Sequence, residues 1–292
     1  MKIVNIGGGL GNQMFQYSFY LAMKKNVKEK WSIDISFFDL NNIHNGYELK
    51  KIFKIREEEV KIYNNKNIVK RILLKILREI GKKMGYVYTE QREISPIENL
   101  EYINSKKRIV FFSGNWISEK YFLGIEEIIQ KIFIFPKITE KENLDIKEKI
   151  ELSEAVSIHV RRGDYLEDKI YSELIDIEYY KKAIEIIKSK IKSPVFFIFS
   201  NDIGWCKENL TFNDEVYYIN WNNKEKSFRD MQLMSLCKHN IIPHSTFSWW
   251  GAWLNKNPKK IVIAPETWFN PKYCKIKTED IVPNNWIKIR NF

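Results

Sequence analysis

Apolar and polar positions along the chain follow two different periods. Short β-branched or aromatic runs are separated by segments in which apolar residues recur at helical spacing. The strand-like runs are KIVNI, WSIDIS, RIVFFSG, AVSIHV, VFFIF, VYYI, NIIP and KIVIAP. The helical segments include NQMFQYSFYLAMKK, a stretch from about 118 to 133, IEYYKKAIEIIKSK and FRDMQLMSLC. Strands that alternate with helices predict parallel sheets covered on both faces.

The alternation occurs in two regions, which predicts two doubly wound α/β domains over residues 1–150 and 151–292. A charged connector at about 137–149 separates them, and the pattern between about 41 and 103 is irregular and mostly helical. A chain of 292 residues is long enough for two cores. One large domain is the alternative.

Composition excludes several classes of protein. A hydrophobic share of 44% and an aromatic share of 14% exclude disorder. No apolar run reaches the length of about 20 residues that a membrane span needs, and the N-terminus lacks the apolar stretch of a signal peptide. Three widely separated cysteines form no disulfide framework or zinc spacing. We therefore expect a cytoplasmic protein with reduced thiols.

Much of the formal net charge of +11 is local. Residues 61–83 contain eight lysines and arginines and one glutamate. Such a segment is either an ordinary solvated helix face or, because apolar residues recur on its other side, a basic amphipathic helix on the cytoplasmic face of an anionic membrane. Nucleic-acid binding is disfavoured because stacking aromatic residues do not alternate with the basic ones.

A glycine-rich turn follows the first strand in GGGLGN. Gly7, Gly9 and the later Asp34 suggest a dinucleotide fingerprint, but its third glycine position is Asn12. A dinucleotide-dependent oxidoreductase therefore stays only as an alternative. The turn leaves an open backbone at the carboxyl end of a strand, where ligands of α/β sheets bind, and Asn12 is predicted to cap the next helix there.

SIHVRRGDY ends the first strand of the second region. It brings His159, Arg161 and Arg162 to the same kind of sheet edge. Arginine offers a planar fork of donors that matches phosphate oxygens, and Gly163 permits a close turn. Asp164 can orient one of the guanidinium groups. The alternative is that both arginines are simply solvated.

Two further strand ends carry polar groups. In HSTFSWWGAWL, hydroxyl side chains can cap an aromatic helix whose N–H groups then attract an anion. In FSND, the polar residues can bind a base or ribose, or form a plain turn. The residues concerned are Ser245, Thr246, Ser248, Asn201 and Asp202.

No Asp-x-Asp pair occurs in the chain, so the carboxylate clamp with which many nucleotide-sugar enzymes hold a divalent ion is missing. We expect no metal, and we expect arginines and helix N-termini to neutralise a diphosphate instead.

GGGLGNQMFQY, HVRRGDY and STFSWWGAWL, in this order, closely resemble the motifs of bacterial α-1,2-fucosyltransferases of glycosyltransferase family 11. The resemblance spans nearly the whole chain. It implies a GT-B-like fold of two Rossmann-like domains facing a cleft, GDP-β-L-fucose as donor, inversion at the fucose anomeric carbon and no metal.

The resemblance also assigns residues. Arg161 matches the arginine on the donor β-phosphate, with His159 and Arg162 beside it, and Asn12 matches an asparagine facing the cleft. Ser245, Thr246 and Ser248 match the segment that wraps the diphosphate. Asn201 or Asp202 matches the position near guanine or ribose. His244 departs from the family, in which asparagine is common, and residues 61–83 lie outside its signature.

The sequence thus predicts transfer of L-fucose to the 2-hydroxyl of a terminal galactose in a surface glycan. Residues 1–150 would bind the acceptor, an oligosaccharide or lipid-linked glycan, and residues 151–292 the GDP-fucose. Arg161 would stabilise charge on the departing phosphate, with Asp164 as candidate base. A non-catalytic binder of anionic surfaces or nucleic acid is the remaining alternative.

Overall fold

The computed structural model describes residues 1–40, 44–55, 86–90, 109–172, 174–274 and 278–290. Residues 61–83, and with them the predicted basic amphipathic helix, lie outside the described residues. The described chain divides into an N-terminal unit, Met1–Phe135, and a C-terminal unit, Pro136–Phe292. The boundary therefore lies earlier than the predicted one at residue 150.

The physical reason is a helix that the sequence pattern did not predict. Residues of the supposed charged connector form Lys141–Glu151, which buries Ile146 and Ile150 in the core of the C-terminal unit together with Ala155 and Phe197. The segment was not predicted as a helix because its many charged residues dominate its composition, and composition does not show that the apolar residues share one face.

The N-terminal unit contains a four-stranded parallel sheet. Its strands are β1 (Lys2–Asn5), β2 (Trp31–Asp34), β3 (Tyr86–Glu90) and β4 (Ile109–Ser113), in the order β2-β1-β4-β3. Its helices are α1 (Leu10–Asn26), α2 (Phe37–Leu40), α3 (Leu49–Ile52) and α4 (Glu126–Ile132), with a 3-10 turn at Glu119–Phe122. Strand β3 was not predicted from the sequence.

Aromatic packing holds helix α1 against the segment that follows β4. The rings of Phe19 and Trp116 stack with their centroids 4.0 Å apart, and Tyr121 meets Trp116 edge to face. All three side chains are buried. The helix predicted over 118–133 is interrupted at Gly124, whose φ of +82° lies in the left-handed region and ends the 3-10 turn.

The C-terminal unit contains a six-stranded parallel sheet in the order β10-β9-β8-β5-β6-β7. The strands are β5 (Glu154–Val160), β6 (Pro194–Ser200), β7 (Val216–Ile219), β8 (His239–Ile241), β9 (Val262–Pro265) and β10 (Ile287–Ile289). The helices are α5 (Lys141–Glu151), α6 (Asp164–Glu167), α7 (Ile177–Lys190), α8 (Ile203–Asn209), α9 (Phe228–Leu236) and α10 (Thr246–Leu254), with a 3-10 turn at Lys224–Lys226. Only β10 among these strands was not predicted.

Both units are thus parallel α/β layers, as the alternation of strand and helix predicts. The inner strands β5 and β6 of the C-terminal sheet are almost wholly buried, because helices cover the sheet on both faces. None of the helices in the described part of the chain has the length and apolar character needed to span a bilayer.

Candidate functional site

The strand order of the C-terminal unit predicts where a ligand would bind. From β5 the chain adds β6 and β7 on one side, then returns to add β8, β9 and β10 on the other. Ligands of open α/β sheets bind outside the carboxyl ends of the strands where this reversal occurs. Here that point lies between β5 and β8, and the segments that follow these strands carry most of the predicted site residues.

The turn after β5 needs glycine. Gly163 has a φ of +47°, and a Cβ atom there would collide with the side-chain nitrogen of Asn201. Asn201 in turn accepts a hydrogen bond from the backbone N–H of Arg162 at 3.0 Å. The segments after β5 and β6 are therefore locked together, and Asn201 supports the arginine turn.

Arg162 is oriented by Asp202. Its Nε atom donates to Asp202 Oδ2 at 3.2 Å, and its guanidinium carbon lies 4.2 Å from the centroid of the Trp205 ring. The second oxygen of Asp202 accepts from the Trp205 backbone N–H and caps α8. Asp202 thus performs the orienting role that the sequence suggested for Asp164, whose side chain lies outside the described part of the structure.

Arg161 occupies the neighbouring position at the end of β5. Its guanidinium carbon lies 5.3 Å from the centroid of the Tyr165 ring, and the side chain is half-buried. Its positive charge also helps to lower the pKa of His159. This charge lies at the reversal point, where the sequence predicts the phosphate.

Two buried histidines complete this edge without adding positive charge. Burial is the largest cause that lowers the pKa of His159 to about 3, followed by the charges of Arg161 and His244. Burial likewise lowers the pKa of His244 to about 3, and the nearby backbone of Tyr171 offsets this only in part. His159 Nδ1 and both ring nitrogens of His244 make no hydrogen bond of normal length and angle to the described residues.

Helix α10 begins beside His244, at the carboxyl end of β8. Ser245 is its N-cap residue, and its carbonyl accepts from Trp249 N–H at 3.0 Å. The prediction of capping by hydroxyl side chains is wrong for Ser245, whose side chain makes no capping bond, and Ser248 Oγ bonds back to the Ser245 carbonyl at 3.4 Å. The helix start, which includes Thr246, still carries the positive end of the helix dipole.

The aromatic residues of α10 are structural. Trp249 and Trp253 stack in the core with an interplanar angle of 10°, and Trp249 Nε1 donates to the Ile281 carbonyl. This confirms the expectation that the pair packs in the core.

Sequence reasoning missed two tyrosines that fix the strand ends. Tyr179 donates its hydroxyl to the Ile242 carbonyl at 2.5 Å, and Tyr180 donates to the His159 carbonyl at 3.3 Å. One helix, α7, therefore holds the end of β5 and the residue that follows β8. The adjacent pair in IEYYKK was visible in the sequence, but only the fold shows which carbonyl groups it reaches.

Asn12 belongs to the N-terminal unit. Its predicted role as helix cap is wrong, because α1 begins at Leu10 with Gly9 as its N-cap residue. Gly8 has a φ of +76°, and a Cβ there would lie 2.9 Å from Asn12 Nδ2. Asn12 therefore packs against the glycine turn, and its contact with a donor stays a prediction.

The sequence matches the family model described as glycosyl transferase family 11 over residues 1–290. An Escherichia coli protein named alpha-1,2-colitosyltransferase is 34% identical over 98% of each chain. The human galactoside alpha-(1,2)-fucosyltransferase 1 is 26% identical over 65% of this chain and 55% of its own. Among solved structures, the fold resembles NodZ alpha-1,6-fucosyltransferase from a crystal soaked with GDP-fucose. The TM-score is 0.50 at 15% identity, and the match covers 90% of this chain and 94% of NodZ. This likeness confirms the GT-B-like fold class.

Proposed function

The chain belongs to glycosyltransferase family 11, and from this premise we propose that it transfers L-fucose from GDP-β-L-fucose to the 2-hydroxyl of a terminal galactose in a surface glycan, forming an α-1,2 linkage. Membership of a glycosyltransferase family replaces the oxidoreductase and the non-catalytic alternatives. The surroundings of Asp34 also speak against a dinucleotide site. Its two carboxylate oxygens accept hydrogen bonds from the backbone N–H and the hydroxyl of Ser36, as in a local turn.

One observation carries the proposal. Arg161, Arg162 and the start of α10 come together at the strand reversal of the C-terminal unit, and all of them favour an anion. A nucleoside diphosphate sugar is the anion that a glycosyltransferase consumes. We therefore assign the donor to the C-terminal unit and the acceptor to the N-terminal unit.

The reaction breaks the bond between the fucose anomeric carbon and a β-phosphate oxygen, and the electron pair stays on the phosphate. The acceptor oxygen bonds the opposite face of that carbon and loses its proton, which inverts the configuration. Arg161 stabilises the charge that grows on the phosphate, so it favours the transition state over the ground state. Arg162, held by Asp202, and the dipole of α10 supply the remaining positive charge without a metal. Asp164 is the proposed acceptor of the proton that the acceptor hydroxyl loses.

The donor sugar has a second candidate, colitose. The E. coli relative that matches over 98% of each chain is named a colitosyltransferase, whereas the human relative named for galactoside fucosylation covers 65% of this chain. We favour fucose because the motifs resemble those of fucosyltransferases.

A donor panel tests both candidates. Purified enzyme is incubated with GDP-fucose, GDP-colitose and GDP-mannose, each with lactose, and the product linkage is determined by NMR. We expect a fucosyl product linked α-1,2 to galactose. Turnover with GDP-colitose alone would identify colitose as the donor sugar. Turnover with neither GDP-fucose nor GDP-colitose would refute the proposed function.

The acceptor of a surface glycan is assembled on a lipid, so we also propose peripheral contact with the cytoplasmic face of the membrane through residues 61–83. Each basic residue near an anionic surface contributes about 1 kcal/mol. Sedimentation with anionic and neutral vesicles tests this contact. Equal recovery in both supernatants would leave the segment as a solvated surface.

A further inference from the structure

Three rings lie close together at the strand reversal of the C-terminal unit. Tyr165 belongs to α6, Tyr171 to the turn that follows α6, and His244 to the residues between β8 and α10. The centroids of the two tyrosine rings are 4.5 Å apart, and the His244 ring lies 5.1 Å from Tyr165 and 5.9 Å from Tyr171. We call these three side chains the ring cluster. It joins the segment after β5 to the segment after β8.

The ring cluster also contacts Arg161. The guanidinium carbon lies 5.3 Å from the centroid of the Tyr165 ring, within the range of about 6 Å over which a ring face attracts a cation. The backbone of Tyr165 is tied to the same turn, because its N–H donates to the Arg162 carbonyl at 2.9 Å. The Tyr165 ring is therefore a platform for the guanidinium group of Arg161.

Local structure alone does not fix the position of Tyr165. Helix α6 has only four residues, and a single helical turn is not stable by itself. Tertiary contacts hold the segment instead, since the Ile170 carbonyl accepts from the Asn270 N–H at 2.8 Å and the Tyr165 ring packs against Tyr171 and His244. Loss of the His244 ring therefore removes one of the supports of Tyr165.

His244 contributes a ring face to the cluster and not a hydrogen bond. Its side chain is 4% exposed, and neither ring nitrogen makes a hydrogen bond of normal length and angle to the described residues. Buried polar groups without a partner cost free energy, which a phenyl ring of similar shape would not. Because burial lowers the pKa of His244 to about 3, the ring is neutral at ordinary pH and adds no positive charge beside Arg161.

We propose that His244 is a positioning residue, whose ring holds Tyr165 so that Tyr165 holds the Arg161 guanidinium in place for an anionic phosphate. An arginine that is ordered before binding loses less side-chain entropy when the anion arrives, so it binds the anion more tightly. The inference rests on the proposed function for the identity of that anion, the diphosphate of a sugar nucleotide.

Two substitutions at one position test the role of the ring. His244→Ala removes the ring, and the affinity for GDP measured by calorimetry should fall by about 5-fold to 10-fold, which is the effect of losing one aromatic or cation–π contact. His244→Phe keeps the ring and should bind GDP within about twofold of the wild type. Unchanged affinity in His244→Ala, or an equal loss in both variants, would overturn the inference.

The matched control is His239→Ala, at the opposite end of β8. His239 is 3% exposed, and its Nδ1 accepts from the Ile261 N–H at 3.0 Å. The variant should lower the melting temperature and leave the affinity for GDP unchanged. A loss of affinity as large as that of His244→Ala would show that general destabilisation explains both. Tyr171→Leu removes another ring of the cluster from a half-buried position, and it decides the question if His244→Ala does not fold.

An NMR measurement on the ligand-free protein separates this inference from the proposed reaction. The Nε–H signal of Arg161, assigned by its loss in Arg161→Lys, reports the ring current of Tyr165 whichever sugar nucleotide the enzyme uses. The ring-current shift should disappear in His244→Ala and Tyr171→Leu and persist in His244→Phe and His239→Ala. A shift that persists in His244→Ala would refute the positioning role even in an active enzyme. Failure of the wild type to bind GDP would instead refute the proposed function.

Discussion

The two strand reversals have the same topology and opposite chemistry. Between β5 and β8 the chain places two arginines, a helix start and buried neutral histidines. Between β1 and β4, where the N-terminal sheet reverses its strand order, it places glycines, asparagines and the buried amides of Gln13 and Gln16, with no basic residue in the loops after these strands. On the proposed assignment, the fold sets where each ligand binds, and the side chains at each reversal set whether that ligand is charged.

Replacing Arg161 with lysine should have the largest effect on the site between β5 and β8. Lysine keeps the charge and loses the planar fork, so we expect transfer to fall by roughly 100-fold to 1000-fold, the effect of losing one well-placed donor to developing negative charge. Transfer kinetics measure the loss, and circular dichroism with a melting curve checks the fold. A variant that keeps more than about half the wild-type rate would remove Arg161 from the mechanism.

Two glycine substitutions separate the reversals. Gly163→Ala forces the arginine turn against Asn201 and should raise the KM for GDP-fucose. Gly8→Ala strains the turn whose carbonyl accepts from Gln13 and should raise the KM for the acceptor, each change being about 10-fold. Gly124→Ala is the matched control. It has a φ of +82° and open space around it, so it carries the backbone strain without a clash in either site.

The result would contradict the comparison if both substitutions raised the same KM. It would also do so if Gly124→Ala reproduced either kinetic change, because strain alone would then explain it. Unfolding in urea should show a loss of about 1 to 3 kcal/mol for each of the three variants.

Arg162→Lys should have a smaller effect than Arg161→Lys. The variant loses the bond from Nε to Asp202 and the stacking on Trp205, which together cost roughly 1 to 2 kcal/mol, or about 10-fold in donor KM. Donor titrations of Arg162→Lys and Asp202→Asn should agree, since each breaks the same pair. A loss for Arg162→Lys as large as that for Arg161→Lys would assign the two arginines equal roles.

His244→Asn should flatten the dependence of stability on pH. The pKa of His244 is about 3 in the fold and ordinarily 6.5, so the unfolded state binds more protons between these values, and stability falls as pH decreases from about 6.5 towards 3. Removing one of two such histidines makes that loss smaller. Burial raises the pKa of Asp230 to about 7, which acts in the opposite direction but equally in both proteins.

Urea unfolding at pH 8, 6 and 5 measures this effect. At pH 8 His244 is neutral in both states, so the difference between the proteins there reports packing alone. If that difference stays constant down to pH 5, His244 is not held neutral by the fold.

Chelation should have the smallest effect of all. The arginines and the start of α10 take the place of a divalent ion in the proposed mechanism, so transfer in EDTA should stay within about twofold of that without it. Loss of turnover that magnesium or manganese restores would show that the arginines and the start of α10 do not neutralise the diphosphate by themselves.

The amino-acid pattern was sufficient to predict the alternation of strands and helices, the two α/β regions and the candidate residues after β1, β5, β6 and β8. Those features depend on local periodicity and on short motifs, which neighbouring residues specify. It did not reveal β3, β10 or helix α5, whose short or charged segments become regular only when packed against a sheet.

Which side chains act together became clear only from the packed fold. The bonds of Asn201 and Asp202 to Arg162, of Tyr179 and Tyr180 to two strand ends, and of Gln16 to Asn115 join residues far apart in the chain. The order of the strands brings these residues to one edge, and burial then keeps His159 and His244 neutral. Strand order and burial arise from long-range packing, which no local pattern encodes.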